Sequence, residues 1–358
     1  MMSPHANAPA PESDLPLYIG TYNRPGDWFT AHGRGLLTCR FNVRTGDLAL
    51  QDAFTAISNP CYLARSRDGG LLAAADHFMK PGAVHAFAPG ADGALRHLSE
   101  ADAQGQAVCH VCAGSPGVVY AVSYMDSRLT VHELSPEGAL SEAVQLWRYT
   151  GSGPNLQRQT SAHPHQAVLA PDGRHLYVPD LGSDCVHVHA VRADGRLEPA
   201  RDVPLAAGSG PRHLVFHPTR DLAYLVGELD GVVRVLERDR ESGGLRLRAS
   251  HPTTAAAQPS AAAIHLDPSG RILAVSERSD STLCFFDVGA DGALSFARRV
   301  AAGGTTPREF AFDPSGRWLV VGCQDSDLVT VHAIDPLTGL PTGIAREFSC
   351  GSPVCFQF

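Results

Sequence analysis

Apolar residues along this chain come in short runs broken by Pro, Asp and Gly, and the broken runs repeat. HPHQAVLAPDGRHLYVPDL starts at His163, GPRHLVFHPTRDLAYLVGEL at Gly210, SAAAIHLDPSGRILAVSER at Ser260 and TPREFAFDPSGRWLVVGCQ at Thr306. Each is an apolar run, a tight turn and a second apolar run. The turn prolines Pro171, Pro218, Pro268 and Pro314 lie 47, 50 and 46 residues apart. Runs this short, bounded by turn residues, predict strands rather than helices. A period near 50 residues built from short strands points to a β-propeller.

The repeat extends upstream in weaker form, as CYLARSRDGGLLAAADH and then CHVCAGSPGVVYAVSY, whose turn is about two residues tighter. Each of the six copies is followed by a third apolar run and then by a turn such as ADGAL, PEGAL or PLTGL that leads to a fourth. The chain ends supply the missing pieces. LYIGTY (residues 17–22) reads as a second strand without a first, GLLTCRFNVRTGDLAL as a third and fourth, and SPVCFQF (residues 352–358) as a first strand without the rest. The predicted fold is all-β: a seven-bladed β-propeller of four-stranded blades, its ring closed by N- and C-terminal strands that share one blade. Residues 16–358 are expected to form this single domain, and residues 1–15 a disordered lead-in.

The turns also serve as a ruler. In a propeller the first strand of each blade lines the central channel, so equivalent positions meet around one axis. Six residues before the turn stand Cys61, His110, His165, Arg212, Ala262 and Arg308, with Val354 in the closing blade. Ten residues after it, where the second strand runs out, stand Tyr22, His77, Tyr124, Leu181, Glu228, Arg278 and Gln324. Both columns belong at one channel mouth, because the first strand starts where the second ends. Arginine, histidine, glutamate and tyrosine so concentrated at strand ends predict a pocket for an anion, with Arg212, Arg278 and Arg308 as fixed cations. His163, just before Pro164, is placed to reach the same pocket from its loop. His265 falls one pleat out of phase and is expected to face a neighbouring blade. Asp180 and Asp184 read as turn caps.

Composition narrows the function classes. The formal charge is −8, from 29 basic and 37 acidic residues without a basic cluster, which argues against a nucleic-acid partner. Nine scattered cysteines, an odd number, do not make a disulfide framework. Cys109 and Cys112 form a lone CxxC, read as two ordinary strand cysteines. The first residues lack a basic region followed by an apolar core, and no apolar stretch is long enough to span a membrane. The expectation is a cytoplasmic protein, monomeric or a small homo-oligomer, that takes a small anionic substrate. Among the column positions only Glu228 offers a carboxylate oxygen, so no metal or other cofactor is expected.

HPHQ, GPRH, GEL and PREF, in this order and in these blades, resemble the seven-bladed propeller lactonase family, which includes the propeller-type 6-phosphogluconolactonases and the fungal carboxy-muconate cyclases. The resemblance runs from Leu17 to Phe358. It implies that His165, with His163 beside it, Arg212, Glu228 and Arg278 form the catalytic set. One departure from the family is Gly227 before Glu228, where similar proteins often carry Asn. The activity implied is hydrolysis of a sugar or sugar-acid lactone, by default 6-phosphogluconolactone. His165 or Glu228 would activate water, and Arg212 and Arg278 would stabilise the oxyanion. Arg308 and His110 would hold a phosphate or carboxylate, with Gln324, His77 and Tyr124 completing the pocket. Two alternatives stand beside this reading: cyclisation of a carboxy-muconate, which needs the same side chains, and a non-catalytic propeller that presents a binding surface.

Overall fold

Second strands without a polar face dictate the architecture. Leu71–Ala75, Val118–Ser123, His175–Asp180, Leu222–Gly227 and Ile272–Glu277 are buried at every residue. A strand with no wet side must lie between two other layers, and here the layers are adjacent blades. The fourth strands, such as Leu245–Pro252 and Pro341–Ser349, are largely exposed at the rim. The computed structural model describes residues 14–26, 29–75, 82–114 and 117–358. They form seven four-stranded antiparallel sheets. His77, the turn residues 115–116 and most of the N-terminal lead-in lie outside the described residues.

Blade 1 holds both ends of the chain. Its first strand is Pro353–Gln357, and Leu15–Thr21, Leu36–Phe41 and Leu48–Phe54 follow. Ile19 pairs with Phe356 and Gly20 with Cys355, the closure expected from the sequence. Blades 2 to 7 follow in chain order, with first strands Pro60–Arg65, Val108–Ala113, Val168–Leu169, Pro211–Phe216, Ala261–Leu266 and Pro307–Phe312.

Neighbouring blades are joined by a repeated latch. The buried hydroxyls of Tyr18, Tyr120, Tyr177 and Tyr224, each on a second strand, donate to the carbonyls of Gly93, Gly195, Gly243 and Gly292 in the next blade, at 2.7–2.9 Å. Burying a tyrosine ring this deeply requires a partner for its hydroxyl. The accepting glycines have φ of 70–84°, a backbone region that glycine enters without a Cβ penalty.

Two backbone devices aim side chains at the axis. Asn59, Ala107, Gly210, Thr306 and Ser352, each just before a first strand, have φ between 41 and 57° and swing the chain into the channel. A register shift then follows at the second residue of the first strand in blades 2, 3, 5 and 7. An extra residue in a strand turns consecutive side chains toward the same side, so each of these strands presents two layers to the channel. The upper layer is Cys61, Cys109, Arg212 and Arg308; the lower is Tyr62, His110, His213 and Glu309.

Blade closure yields the first prediction. Removing residues 352–358 withdraws the buried Val354, Cys355 and Phe356 and uncovers Leu15–Thr21. At about 1.5–3 kcal/mol per large apolar side chain, the truncated chain should lose at least about 3 kcal/mol in a urea unfolding curve.

Candidate active site

At the mouth where first strands begin, the structure bears out the second sequence column at its six described positions. The N–H groups of Tyr22, Tyr124, Leu181, Glu228, Arg278 and Gln324 all donate to the carbonyl of the residue before the adjoining first strand or, in blade 4, to that of His163. These six residues are therefore structural equivalents around one ring. His77, the remaining member, lies outside the described residues.

The first column holds with one correction. His165, Arg212, Arg308, Cys61 and Val354 are equivalent, but His110 is not. Val108 pairs with Ser123 and His110 with Val122, as Pro211 pairs with Gly227 and His213 with Val226. Cys109 therefore occupies the Arg212 position, and His110 sits one layer deeper. The shorter turn of blade 3 shifts the count by one. His110 stacks on Tyr62 at 3.8 Å and lies edge-on to His213 at 5.8 Å, away from the mouth where an anion-binding role was expected.

Glu228 is the centre of the mouth. It is 2% exposed and takes three guanidinium groups: Arg158 Nη2 on Oε1 at 2.6 Å, and Arg212 Nε and Arg278 Nη2 on Oε2, each at 3.0 Å. Arg278 is braced by the Ser260 carbonyl, to which its Nε donates at 3.1 Å. Arg308 stands over the Tyr22 ring, 5.3 Å from its centroid, and none of the ion pairs among the described residues includes it. Among the described residues, four guanidinium groups thus gather at the mouth, three of them on the Glu228 carboxylate.

Arg158 is the residue that the repeat ruler missed. It sits on the long segment between the fourth strand of blade 3 (Leu140–Arg148) and Val168–Leu169, outside the strand–turn–strand unit. Gln159 fixes this segment by donating to the Leu181 carbonyl at 2.8 Å and accepting from the Asn155 N–H at 3.1 Å. The arginine reaches Tyr124 Oη as well as Glu228. His213 was also passed over, although it adjoins Arg212. Its ring lies 5.2 Å from that of His165, a depth that only the register shift reveals.

The electrostatics separate the two candidate bases. Burial works to raise the Glu228 pKa, but Arg278, Arg158 and Arg212 overcome it and hold the carboxyl far below the usual range. Glu228 therefore stays ionised. His165 is driven the other way, by burial and then by the Arg212 charge, to well below the ordinary histidine value; it is a neutral imidazole. Its Nδ1 is buried without a hydrogen-bond partner. Burial with the Arg212 charge lowers His110 to about 3, and His213 falls for the same reasons. Tyr124 stacks on His163 at 4.4 Å and lies edge-on to His165 at 5.7 Å, and His163 Nδ1 lies 3.0 Å from the Tyr124 carbonyl. Gln324 is buried with its Nε2 on Asp325 and its Oε1 unpartnered.

The model of the family described as "Lactonase, 7-bladed beta-propeller" matches residues 16–358. The chain belongs to the seven-bladed β-propeller lactonase family. Among curated relatives, the 6-phosphogluconolactonase of Bacillus subtilis is 28% identical over 95% of this chain and 97% of its own. That of Formosa agariphila is 31% identical over 88% and 92%. The structure of the periplasmic gluconolactonase of Pseudomonas aeruginosa superposes with a TM-score of 0.88 at 30% identity, covering 96% of this chain and 99% of that one. In this lactonase, as expected, His265 faces the next blade, where its Nε2 meets Glu309 at 2.7 Å. Asp180 caps its turn by accepting from the Gly182 and Ser183 N–H groups. All nine cysteines are free thiols. Among the described residues no helix is long and apolar enough to cross a membrane.

The ion cluster gives a stability prediction. Glu228→Gln leaves Arg212, itself 3% exposed, buried without a counter-charge, and should cost about 3–5 kcal/mol. Arg158→Ala removes a partner whose side chain is 41% exposed and should cost less than about 1 kcal/mol. Urea denaturation of both variants reads the contrast.

Proposed function

We propose that this lactonase hydrolyses a sugar-acid lactone, with 6-phosphogluconolactone as its substrate and 6-phosphogluconate as its product. The observation that carries this reading is the gathering of four guanidinium groups around Glu228, whose carboxylate is already paired with three of them. An uncharged lactone would leave the fourth unanswered, whereas a phosphorylated one supplies the missing anion. The curated relatives named above are 6-phosphogluconolactonases, which favours hydrolysis over muconate cyclisation. The free thiols suit a reducing compartment such as the cytoplasm.

Water attacks the lactone carbonyl carbon, and the ring C–O bond breaks. His165 takes the proton from the attacking water through a ring nitrogen and returns it to the departing ring oxygen, which leaves as a hydroxyl. The carboxylic acid so formed ionises. Arg212 and Arg278 face the oxyanion that develops on the carbonyl oxygen. Glu228, held ionised, is a poor base; it fixes both arginines in place, and its charge favours the imidazolium that His165 becomes in passing. Arg308, which pairs with no carboxylate among the described residues, binds the substrate phosphate, while Tyr124, His163 and Gln324 line the pocket.

His165→Ala should lower kcat/KM by at least about a hundredfold with unchanged circular dichroism. Arg308→Ala should raise KM for the phosphorylated lactone far more than for glucono-δ-lactone. Retention of more than a tenth of wild-type kcat/KM by His165→Ala overturns the scheme. The pH profile tests the same assignment. A base must be unprotonated to act, and a lowered pKa extends that form toward acid. Thus kcat/KM for glucono-δ-lactone, which carries no phosphate to titrate at about pH 6, should stay flat from about pH 7 down to about pH 5, and a half-maximal point near 6.5 would exclude His165 in this environment.

A further inference from the structure

Among the described residues, two groups of side chains outside the mouth bring three metal-binding atoms together: His85, His97 and Glu100 in blade 2, and Cys185, His187 and Asp202 in blade 4. Geometry separates them. In blade 4, His187 Nδ1 lies 2.6 Å from Asp202 Oδ1, and Nε2 lies 3.0 Å from Asp180 Oδ2. Both ring nitrogens are engaged by carboxylates, and 2.6 Å is the span of a hydrogen bond rather than of two ligands around one ion. Bonds to Asp180 and Cys185 outweigh burial and raise the His187 pKa to about 10. This is a buried imidazolium between carboxylates, stacked on Tyr149 at 4.0 Å.

The blade 2 group differs. His85 Nδ1 lies 3.2 Å from His97 Nε2 and 3.3 Å from Glu100 Oε2, and all three atoms fall within 4.8 Å of one another. Ligands held at about 2.0–2.2 Å around tetrahedral zinc are separated by about 3.3–3.6 Å. One imidazole nitrogen therefore faces two partners at ligand-to-ligand spacing. A single N–H on that nitrogen can serve only one of them, whereas a dication satisfies all three.

The convergence has a structural origin. His85 lies on the third strand (Ala83–Pro89) and pairs directly with Glu100 on the fourth (Leu95–Asp102). His97 is three residues from Glu100 and in a regular strand would point to the opposite face. A bulge between the Ala86 and Phe87 pairings adds Leu98 to the outer strand and returns His97 to the face of Glu100. The outer hairpins of blades 1, 3, 5, 6 and 7 carry comparable shifts; in blade 2 the shift falls on a histidine. The His97 ring is packed against Phe54 at 5.2 Å and Phe87 at 5.1 Å, which orients it before any ion arrives. His85 is buried, whereas the Glu100 side chain is 63% exposed, leaving a side open for water as a fourth ligand.

We propose that His85 Nδ1, His97 Nε2 and a Glu100 oxygen form a site for a borderline divalent transition ion of the zinc class, remote from the arginine-lined mouth and structural rather than catalytic. Two imidazoles and one carboxylate suit such an ion better than calcium or magnesium, which take oxygen ligands. The full-length protein, stripped with chelator, is titrated with Zn2+ by calorimetry, and its melting temperature is recorded with and without Zn2+. The expected result is saturable binding of one equivalent with a rise in melting temperature. Both His97→Ala and the exposed Glu100→Gln should weaken binding at least about tenfold while leaving lactonase activity in place. Absence of saturable binding, or an isotherm for either variant that matches wild type, overturns the proposal.

Discussion

Everything at the mouth depends on the antiparallel pairing of Pro353–Gln357 with Leu15–Thr21. The candidate side chains come from blades 3 to 7 and converge only because first strands from a closed ring surround one axis. No blade could bury its second strand alone, since that strand is apolar on both faces. Closure replaces the two free edges of an open array with one more sheet, and the tyrosine-to-glycine latches then hold neighbouring blades in register.

Within that ring, the Glu228 cluster is a compromise between burial and charge. Removing a carboxylate and arginines from water is costly, and their attraction offsets this only where geometry is good and further polar contacts exist. Here Glu228 receives three guanidinium groups and Arg278 gains a backbone carbonyl. The same pairing that makes the cluster tolerable makes Glu228 a weak base, while burial and then the Arg212 charge leave His165 neutral.

Backbone irregularity does the aiming at both edges of a blade. On the inner edge, left-handed residues and a register shift send two layers of side chains into the channel, placing Arg212 above His213 and Arg308 above Glu309. On the outer edge of blade 2, a bulge brings His97 round to Glu100. Ideal strands would separate these pairs, because alternate residues point to opposite faces.

Spacing along the chain determined the blade count, the closure by both termini and most of the mouth, because turn prolines and apolar runs are local signals with a fixed relation to strand position. Counting from those turns located Glu228, Arg278, Arg212 and His165 and expected His265 to face its neighbour. It misplaced His110 because the tighter strand–turn–strand unit of blade 3 shifts the count from the turn by one residue, so that Cys109 takes the Arg212 position. It passed over Arg158 because that residue lies on a connection that follows no repeat. Which arginines pair with Glu228, and hence that its carboxyl stays ionised, was decided by tertiary structure alone. Charge pairing depends on distances across the channel between residues as far apart as Arg158 and Arg278, and no periodicity along the chain encodes them.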